Sequence, residues 1–419
     1  MQRRRFLKNA AAISALTMVT PRIAFGSNAN SAIRVGIIGC GSRGTAVLSA
    51  MSQHTNTNII AMADLFNEQL EKAKEKFDQL NADKGFPKIQ RSNMYQGSKA
   101  YQDLLNNQDV DAVLITTPAY AHPEILEAAV AAGKHVYCEK PVAIDVAGCK
   151  RVERIGKRLN EKVSVAIGFQ IREATPYIQM VRRIQRGDIG DVVNVQLYYF
   201  SSLLPPDKSI DNYDKGRILN HYHFQALSGG ILVDQAIHQI DVCNWTLQSH
   251  PIQAIGQGGR GGRPDYGDSW SNYQVIYQYP GDVNVSLHST QLGPAFGDVC
   301  ARFIGTKGIA EAHYSRGVYI TGENEWDSGV LRSGESSQED VASGTFSSSL
   351  HDADKNKVKS FIDSINTGNY LNQTHEGAKS AFSAILGRKA GMSREKVTWD
   401  EVRLSNTKLN PSLNLSQFD

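Results

Sequence analysis

The chain has 419 residues, 41% hydrophobic and 21% charged. That is enough apolar material for a sizeable core and, at ~100–200 residues per domain, for two or three domains. The net charge of +3 arises in the first 26 residues, where Arg3, Arg4, Arg5, Lys8 and Arg22 stand without an acid; the remainder carries 40 basic and 42 acidic residues. A near-neutral body argues against nucleic acid or an anionic membrane surface as partner.

Met1 to Gly26 reads as a targeting segment. Arg3-Arg4-Arg5-Phe6-Leu7-Lys8 resembles the twin-arginine export signature. Ala10 to Val19 is apolar but too short for a stable membrane anchor, and Ala24-Phe25-Gly26 offers small residues for cleavage. That route exports folded proteins, so the expected location is periplasmic or extracytoplasmic.

Arg34 to Ile38 is a short apolar run, expected as a buried parallel strand. Gly39, Gly41 and Gly44 follow in G-x-G-x-x-G spacing, with Ser42 and Arg43 inside the turn, and a helix begins there. Gly39 permits the turn, Gly41 lets a pyrophosphate approach the backbone, and Gly44 lets the helix pack on the strand. The helix start offers N–H groups and a partial positive charge to phosphate. A second strand, Asn58 to Ala63, ends in Asp64, placed to bind a ribose 2′-hydroxyl. The reading is a dinucleotide site, with Asp64 favouring NAD over NADP and Arg43 leaving NADP open.

Strands and helices then alternate: a helix over Phe66 to Leu80, a strand over Asp111 to Thr116 ending in Thr117-Pro118, a helix over Pro123 to Ala132, and a strand over His135 to Cys138 ending in Glu139-Lys140-Pro141. Such alternation predicts a doubly wound parallel sheet, with ligands at the carboxyl ends of its strands. A crossover helix, Asp145 to Asn160, closes this dinucleotide-binding domain, expected over residues 33–160.

Residues 161–419 are expected to form an α+β substrate-binding domain. Val163 to Gly168 is a strand running into Phe169-Gln170-Ile171-Arg172, and Thr175 to Gln185 is a helix. Alternating patterns over Val192 to Phe200, Ile252 to Gly256, Tyr273 to Tyr279, Val283 to Thr290 and Val299 to Ile304 predict a large open, mostly antiparallel sheet. Gly258 to Gly267 reads as a flexible Gly/Arg-rich connection or a phosphate loop, and Glu323 to Ser349 as a surface excursion. Asp354 to Asn366 and His375 to Gly391 read as capping helices. The five cysteines have no C-x-x-C spacing; they are read as packing residues, and no metal site is expected.

In Gly229 to Trp245, Asp234, His238 and Asp241 recur at i, i+4 and i+7, one face of a regular helix. With Lys140 they supply the parts needed to take a hydride from a secondary alcohol. An imidazole accepts the hydroxyl proton, an ammonium stabilises the alkoxide, and a carboxylate positions the substrate. A structural hydrogen-bond network accounts for the spacing equally well.

GIIGCGSRG (Gly36 to Gly44), AAGKHVYCEKP (Ala131 to Pro141) and GGILVDQAIHQIDVCNW together resemble the glucose–fructose oxidoreductase / inositol dehydrogenase (Gfo/Idh/MocA) family. The resemblance implies a catalytic set of Lys140, Asp234 and His238. It sets Thr117, Pro118 and His122 against the nicotinamide, beside Glu139 and Lys140. It also implies a C-terminal sheet that makes a homodimer or homotetramer. The approach to the helix departs from the family: His221-Tyr222-His223-Phe224 precedes LSGGILVDQ, where a sugar would stack. His221, Tyr222 and His223 are therefore substrate candidates, with Gln170 and Arg172. The implied function is NAD(P)-dependent oxidation of a secondary hydroxyl, C3 favoured, of a sugar or glycoside, with a tightly bound cofactor recycled in place. The alternatives are a redox-neutral NAD-dependent glycoside hydrolase and a non-catalytic sugar sensor.

Overall fold

The computed structural model describes residues 31–159, 162–292, 297–330 and 349–419. The expected export signal and most of the excursion after Glu323 lie outside the described residues.

Six strands form a parallel sheet: β1 (Ile33–Ile38), β2 (Thr57–Asp64), β3 (Met94–Gln96), β4 (Ala112–Ile115), β5 (His135–Cys138) and β6 (Val165–Ile167). Their order is β3-β2-β1-β4-β5-β6, the doubly wound arrangement, and every pairing is parallel. β4 and β6 are buried at every position, which explains their continuous apolar runs. The expected domain boundary at residue 160 falls one strand early, because β6 completes this sheet at its β5 edge. A three-residue strand on an open edge carries too little pattern to declare its partner.

Nine further strands make a second sheet: β7 (Val192–Ser201), β8 (Gln253–Gly259), β9 (Asn272–Tyr279), β10 (Val283–Gln291), β11 (Asp298–Gly305), β12 (Gly308–His313), β13 (Val318–Gly322), β14 (Trp326–Asp327) and β15 (Val397–Thr398). The order is β14-β13-β12-β11-β7-β10-β9-β8-β15. Only the central β7–β10 pair is parallel. β7, β9 and β10 alternate strictly: Val195, Leu197, Val275, Tyr277, Val285 and Leu287 face inward and are buried. Ile276 and Ile255 stand on the other face, about half exposed.

Two late helices pin the halves together. Helix Thr374–Ser393 packs on helix Val146–Arg158 of the first half and on β8 and β9 of the second. Helix Ala353–Thr367 packs on helix Ser42–His54, which follows the glycine turn. One apolar cluster consequently runs through both halves. The Gly/Arg-rich segment is not a flexible connection. Its first glycines belong to β8, and Arg263 is tied to His223 Nδ1 (3.2 Å), the Trp270 carbonyl (3.2 Å) and the Gln291 side chain. No described helix is long and apolar enough to cross a membrane.

Candidate active site

Between the two sheets lies a cavity of about 960 Å3, open at the carboxyl ends of β1, β2, β4 and β5. The glycine turn forms its floor. Gly39 adopts φ +95°, and a Cβ there would stand 2.8 Å from the backbone of Thr116 and Thr117. Gly44 does not reach the cavity; a Cβ on it would lie 2.3 Å from the Gly39 carbonyl oxygen, so it serves helix–strand packing. Gly41 is the opposite case: a Cβ there would meet nothing within 4 Å. Helix Ser42–His54 begins at Gly41 with no side-chain cap and no acid in its first turn. Its leading N–H groups are thus left for an anion.

Asp64 ends β2 and lines the cavity. Its Oδ2 accepts the Cys40 N–H at 2.7 Å and its Oδ1 the Phe66 N–H at 2.9 Å, which fixes the carboxylate across the turn. Burial raises its pKa, against the opposing pull of those N–H groups. A bound 2′-phosphate would meet this carboxylate. Arg43 is turned away from it, bonding Glu139 Oε1 through Nε at 3.0 Å and Gln170 Oε1 at 3.4 Å. Arg43 therefore gives no reason to keep NADP open. An open Gly41, an uncapped helix start and a fixed acid fit NAD.

Glu139 is buried, and burial alone would raise its pKa; the charges of Arg43, Lys357 and Lys140 outweigh this and hold it below the usual carboxylate range. His122 lines the cavity, but its ring nitrogens are spent on the Pro141 (2.8 Å) and Thr117 (2.7 Å) carbonyls, tying the loops after β4 and β5 together. Beside it, the buried Thr117 hydroxyl has no protein partner.

Lys140, Asp234 and His238 all line this one cavity. Lys140 Nζ donates to the Asp234 carbonyl oxygen at 2.6 Å and stands 3.9 Å from its carboxylate. His238 is boxed by aromatic rings, stacked on Tyr199 with Phe169 and Tyr314 edge-on. Its Nδ1 is buried without a protein partner. Burial, then the Lys140, Arg43 and Lys357 charges, push its pKa well below the usual imidazole value. The ring is neutral at pH 7, as a base must be.

Asp241 does not join them. The segment Leu232–Ala236 is a turn of π-helix preceding helix Ile237–Thr246. Its wider turn shifts Asp234 relative to Asp241, while His238 and Asp241, three residues apart on the regular helix, lie about 60° apart around its axis. Asp241 instead faces the interior, held by both Arg172 Nε (2.8 Å) and Nη2 (2.9 Å) and by the Ser380 hydroxyl (2.7 Å). That corrects the expectation for Arg172: it is a buried ion-pair partner, absent from the cavity wall. His223 is also removed from the wall. Its Nε2 sits 3.0 Å from the Leu204 carbonyl and its Nδ1 faces Arg263, so it anchors a loop. Ser42, Pro118, Gln170, His221 and Tyr222 do line the cavity.

Several wall residues carried no sequence signal. Tyr199, Gln235 and Asp354 line the inner part. Leu415 enters from the C-terminal segment. That segment returns across the first sheet: Arg217 donates to the Pro411 (2.7 Å) and Ser412 (3.1 Å) carbonyls, and Phe418 packs edge-on against Phe66 at 5.2 Å. Ser98 donates both its N–H (2.6 Å) and its hydroxyl (2.9 Å) to the Asp419 carboxylate.

Comparison with known proteins agrees with this fold. Residues 33–167 match the model of the oxidoreductase family with an NAD-binding Rossmann fold, and residues 177–311 match the GFO/IDH/MocA C-terminal domain. The chain belongs to the GFO/IDH/MocA oxidoreductase family. Inositol 2-dehydrogenase of Salmonella typhimurium is 28% identical over 217 residues, 51% of this chain and 54% of that protein. Inositol 2-dehydrogenase/D-chiro-inositol 3-dehydrogenase of Lactiplantibacillus plantarum is 28% identical over 215 residues, 51% and 52% of the two chains. The chain spans about half the length of the curated relatives it matches. Among solved structures, aldose-aldose oxidoreductase from Caulobacter crescentus superposes with TM-score 0.68 at 18% identity, covering 88% of this chain and 99% of that one. Scyllo-inositol dehydrogenase from Lactobacillus casei, solved with NAD(H) and scyllo-inositol, gives 0.67 at 20% identity with the same coverage. At those identities the two structures establish the GFO/IDH/MocA fold.

Proposed function

We propose that this protein is an NAD-dependent oxidoreductase that oxidises a ring secondary hydroxyl, C3 favoured, of a sugar, glycoside or related polyol. The observation that carries the reading is the convergence of Lys140, Asp234 and His238 on the cavity that also holds the open Gly41 and Asp64. Bound there, NAD supplies the hydride acceptor. Gly41 and the start of helix Ser42–His54 hold its pyrophosphate, and Asp64 its ribose hydroxyls. His238, neutral and ringed by aromatics, takes the substrate hydroxyl proton. Lys140, oriented by the Asp234 carbonyl, places its ammonium on the oxygen as negative charge develops. The Asp234 carboxylate, next to that ammonium, fixes a neighbouring hydroxyl. Inositol dehydrogenases among the relatives support a cyclic polyol or sugar as substrate.

The C-terminal segment lines the cavity through Leu415 and packs Phe418 on Phe66, two residues past Asp64, which supports a cofactor retained and recycled in place. Arg3-Arg4-Arg5 supports export of the folded, loaded protein, and the outer face of the nine-stranded sheet, with Ile255 and Ile276 exposed, supports a homo-oligomer. Mass spectrometry of gently denatured protein is expected to release NAD. A panel of inositols, aldoses and glucosides is then expected to produce reduced nicotinamide with at least one member. Absence of reduction across the panel, with NAD present, would overturn the dehydrogenase reading.

A second reading is favoured by His221 and Tyr222, which line the same cavity; Asp234 acts electrostatically on both. Burial lowers the His221 pKa and leaves its ring neutral, fit to remove a proton beside a newly formed ketone. That is the extra base a redox-neutral glycosidase requires. Sustained phenol release from an aryl glycoside without a second redox substrate would select this reading. A single stoichiometric burst of reduced cofactor selects the first.

A further inference from the structure

On the face of the nine-stranded sheet turned away from the cavity, a sulfur, a nitrogen and a carboxylate oxygen come together. β11 and β12 pair antiparallel, setting Cys300 opposite His313 and Arg302 opposite Glu311. Cross-strand neighbours, and residues two apart on one strand, share a face. Cys300 Sγ, Glu311 and His313 therefore meet, with their donor atoms within 4.8 Å of one another. Cys300 Sγ lies 3.6 Å from His313 Nε2, and Nε2 lies 3.3 Å from Glu311 Oε2.

Those spacings discriminate. An imidazole–carboxylate hydrogen bond shortens to ~2.7–2.9 Å when charged. Two ligands of one tetrahedral zinc ion, with Zn–N and Zn–O of ~2.0–2.1 Å and Zn–S of ~2.3 Å, stand ~3.3 Å (N to O) and ~3.6 Å (N to S) apart. The sulfur and the carboxylate oxygen each stand at zinc-ligand spacing from His313 Nε2, and all three atoms lie within 4.8 Å of one another. The surroundings fit as well. Asp298 Oδ1 lies 3.9 Å from His313 Nδ1, on the far side of the ring, too long for a hydrogen bond but adding negative charge beside it. Tyr319 stacks on the His313 ring. Arg302 Nη2 donates to Glu311 Oε2 at 2.8 Å and Nη1 to Gln196 at 2.9 Å. Burial and the Asp298 and Glu311 charges push the Cys300 thiol up to about 12, so Asp298, Glu311 and Arg302 leave one net negative charge and a divalent ion must displace the thiol proton to bind.

We propose that Cys300, Glu311 and His313 form a binding site for a divalent zinc-class ion, with water as fourth ligand, clipping β11 to β12 on the outer face of the sheet. A mixed S/N/O donor set suits zinc and cobalt over calcium or magnesium. The site owes nothing to the nicotinamide chemistry, and its test reads the metal alone. Full-length protein stripped with a chelator is titrated with cobalt(II) and then zinc(II). The expected result is one equivalent of cobalt giving a thiolate-to-cobalt charge-transfer absorption, which zinc then abolishes. Cys300→Ser is expected to remove the absorption. His313→Ala is expected to weaken binding beyond the ~100-fold that bounds loss of an outer partner. No charge-transfer absorption at millimolar cobalt, or an absorption that survives Cys300→Ser in protein with wild-type melting, overturns the proposal.

Discussion

Gly41 and Gly44 sit three residues apart in one turn, yet alanine at each should produce opposite outcomes. At Gly44 the new methyl would lie 2.3 Å from the Gly39 carbonyl oxygen and 2.4 Å from the Thr116 hydroxyl. Overpacking against backbone costs ~1–3 kcal/mol. Gly44 lies in the first turn of helix Ser42–His54, so alanine recovers up to ~1 kcal/mol of helix propensity. Contact at 2.3 Å with a backbone oxygen puts the cost at its upper end, so the net loss is about 2 kcal/mol, and Tm drops by a few degrees without cofactor. At Gly41 the backbone (φ −69°, ψ −176°) suits alanine and the methyl meets no protein atom, so Tm stays within error. The methyl points instead into the space assigned to the pyrophosphate. Displacing one charge-assisted N–H bond to phosphate costs ~1.5–3 kcal/mol, or roughly 10- to 150-fold in NAD affinity. Calorimetric titration of stripped protein, beside melting curves, measures both. If Gly41→Ala binds NAD as tightly as wild type while Gly44→Ala melts normally, the placement of the phosphate cradle is wrong.

Three further outcomes follow from the geometry. Asp241→Asn should destabilise, by less than the ~3–5 kcal/mol of a fully buried pair because the Arg172 side chain keeps 19% exposure, while kcat/KM of the folded fraction stays within about twofold; a large loss of turnover without a loss of Tm would return Asp241 to the chemistry. The His238 pKa is depressed, so the acid limb of kcat/KM should fall below pH 6.5. The sign for stability agrees: below ~pH 6.5 the unfolded chain takes up a proton that the native ring refuses, so stability declines as pH falls, and His238→Gln should flatten that slope. Leu415→Ala with Phe418→Ala removes two apolar contacts at the Asp64 end, each worth up to ~1.5–3 kcal/mol; NAD release followed by stopped-flow fluorescence should quicken by at least about tenfold, and an unchanged rate would remove the C-terminal segment from cofactor retention.

What could be read from the sequence was whatever is local in chemistry. The glycine spacing, the acid at the end of β2 and the lysine after β5 are each set by one strand end and its following turn, and all three reach the cavity. The helix-face argument succeeded for Asp234 and His238 but failed for Asp241. It assumed 3.6 residues per turn, and the π-turn at Leu232–Ala236 breaks that count. His223 is a candidate through the aromatic cluster ahead of the helix and Arg172 through its place beside Gln170 after a strand end; their hydrogen bonds go to Leu204, Arg263 and Asp241, partners no local pattern announces. Leu415 and the Cys300–Glu311–His313 cluster were illegible for a related reason. The first returns from a distant chain segment, and the second exists only once β11 and β12 pair in register.

The placement of helix Thr374–Ser393 bears on how small molecules enter and leave. It is buried along most of its length, and Arg388 Nη1 donates from it to the Gly229 carbonyl at 2.8 Å, just ahead of the π-turn. Prising the two sheets apart like a clam shell would strip this helix from one of them. Exchange is then expected at the rim, where the segment around Leu415 and the turn at His221 and Tyr222 line the wall. The proposed retention of the dinucleotide predicts two clocks for such a protein: one for a metabolite passing that rim, and a far slower one for the dinucleotide.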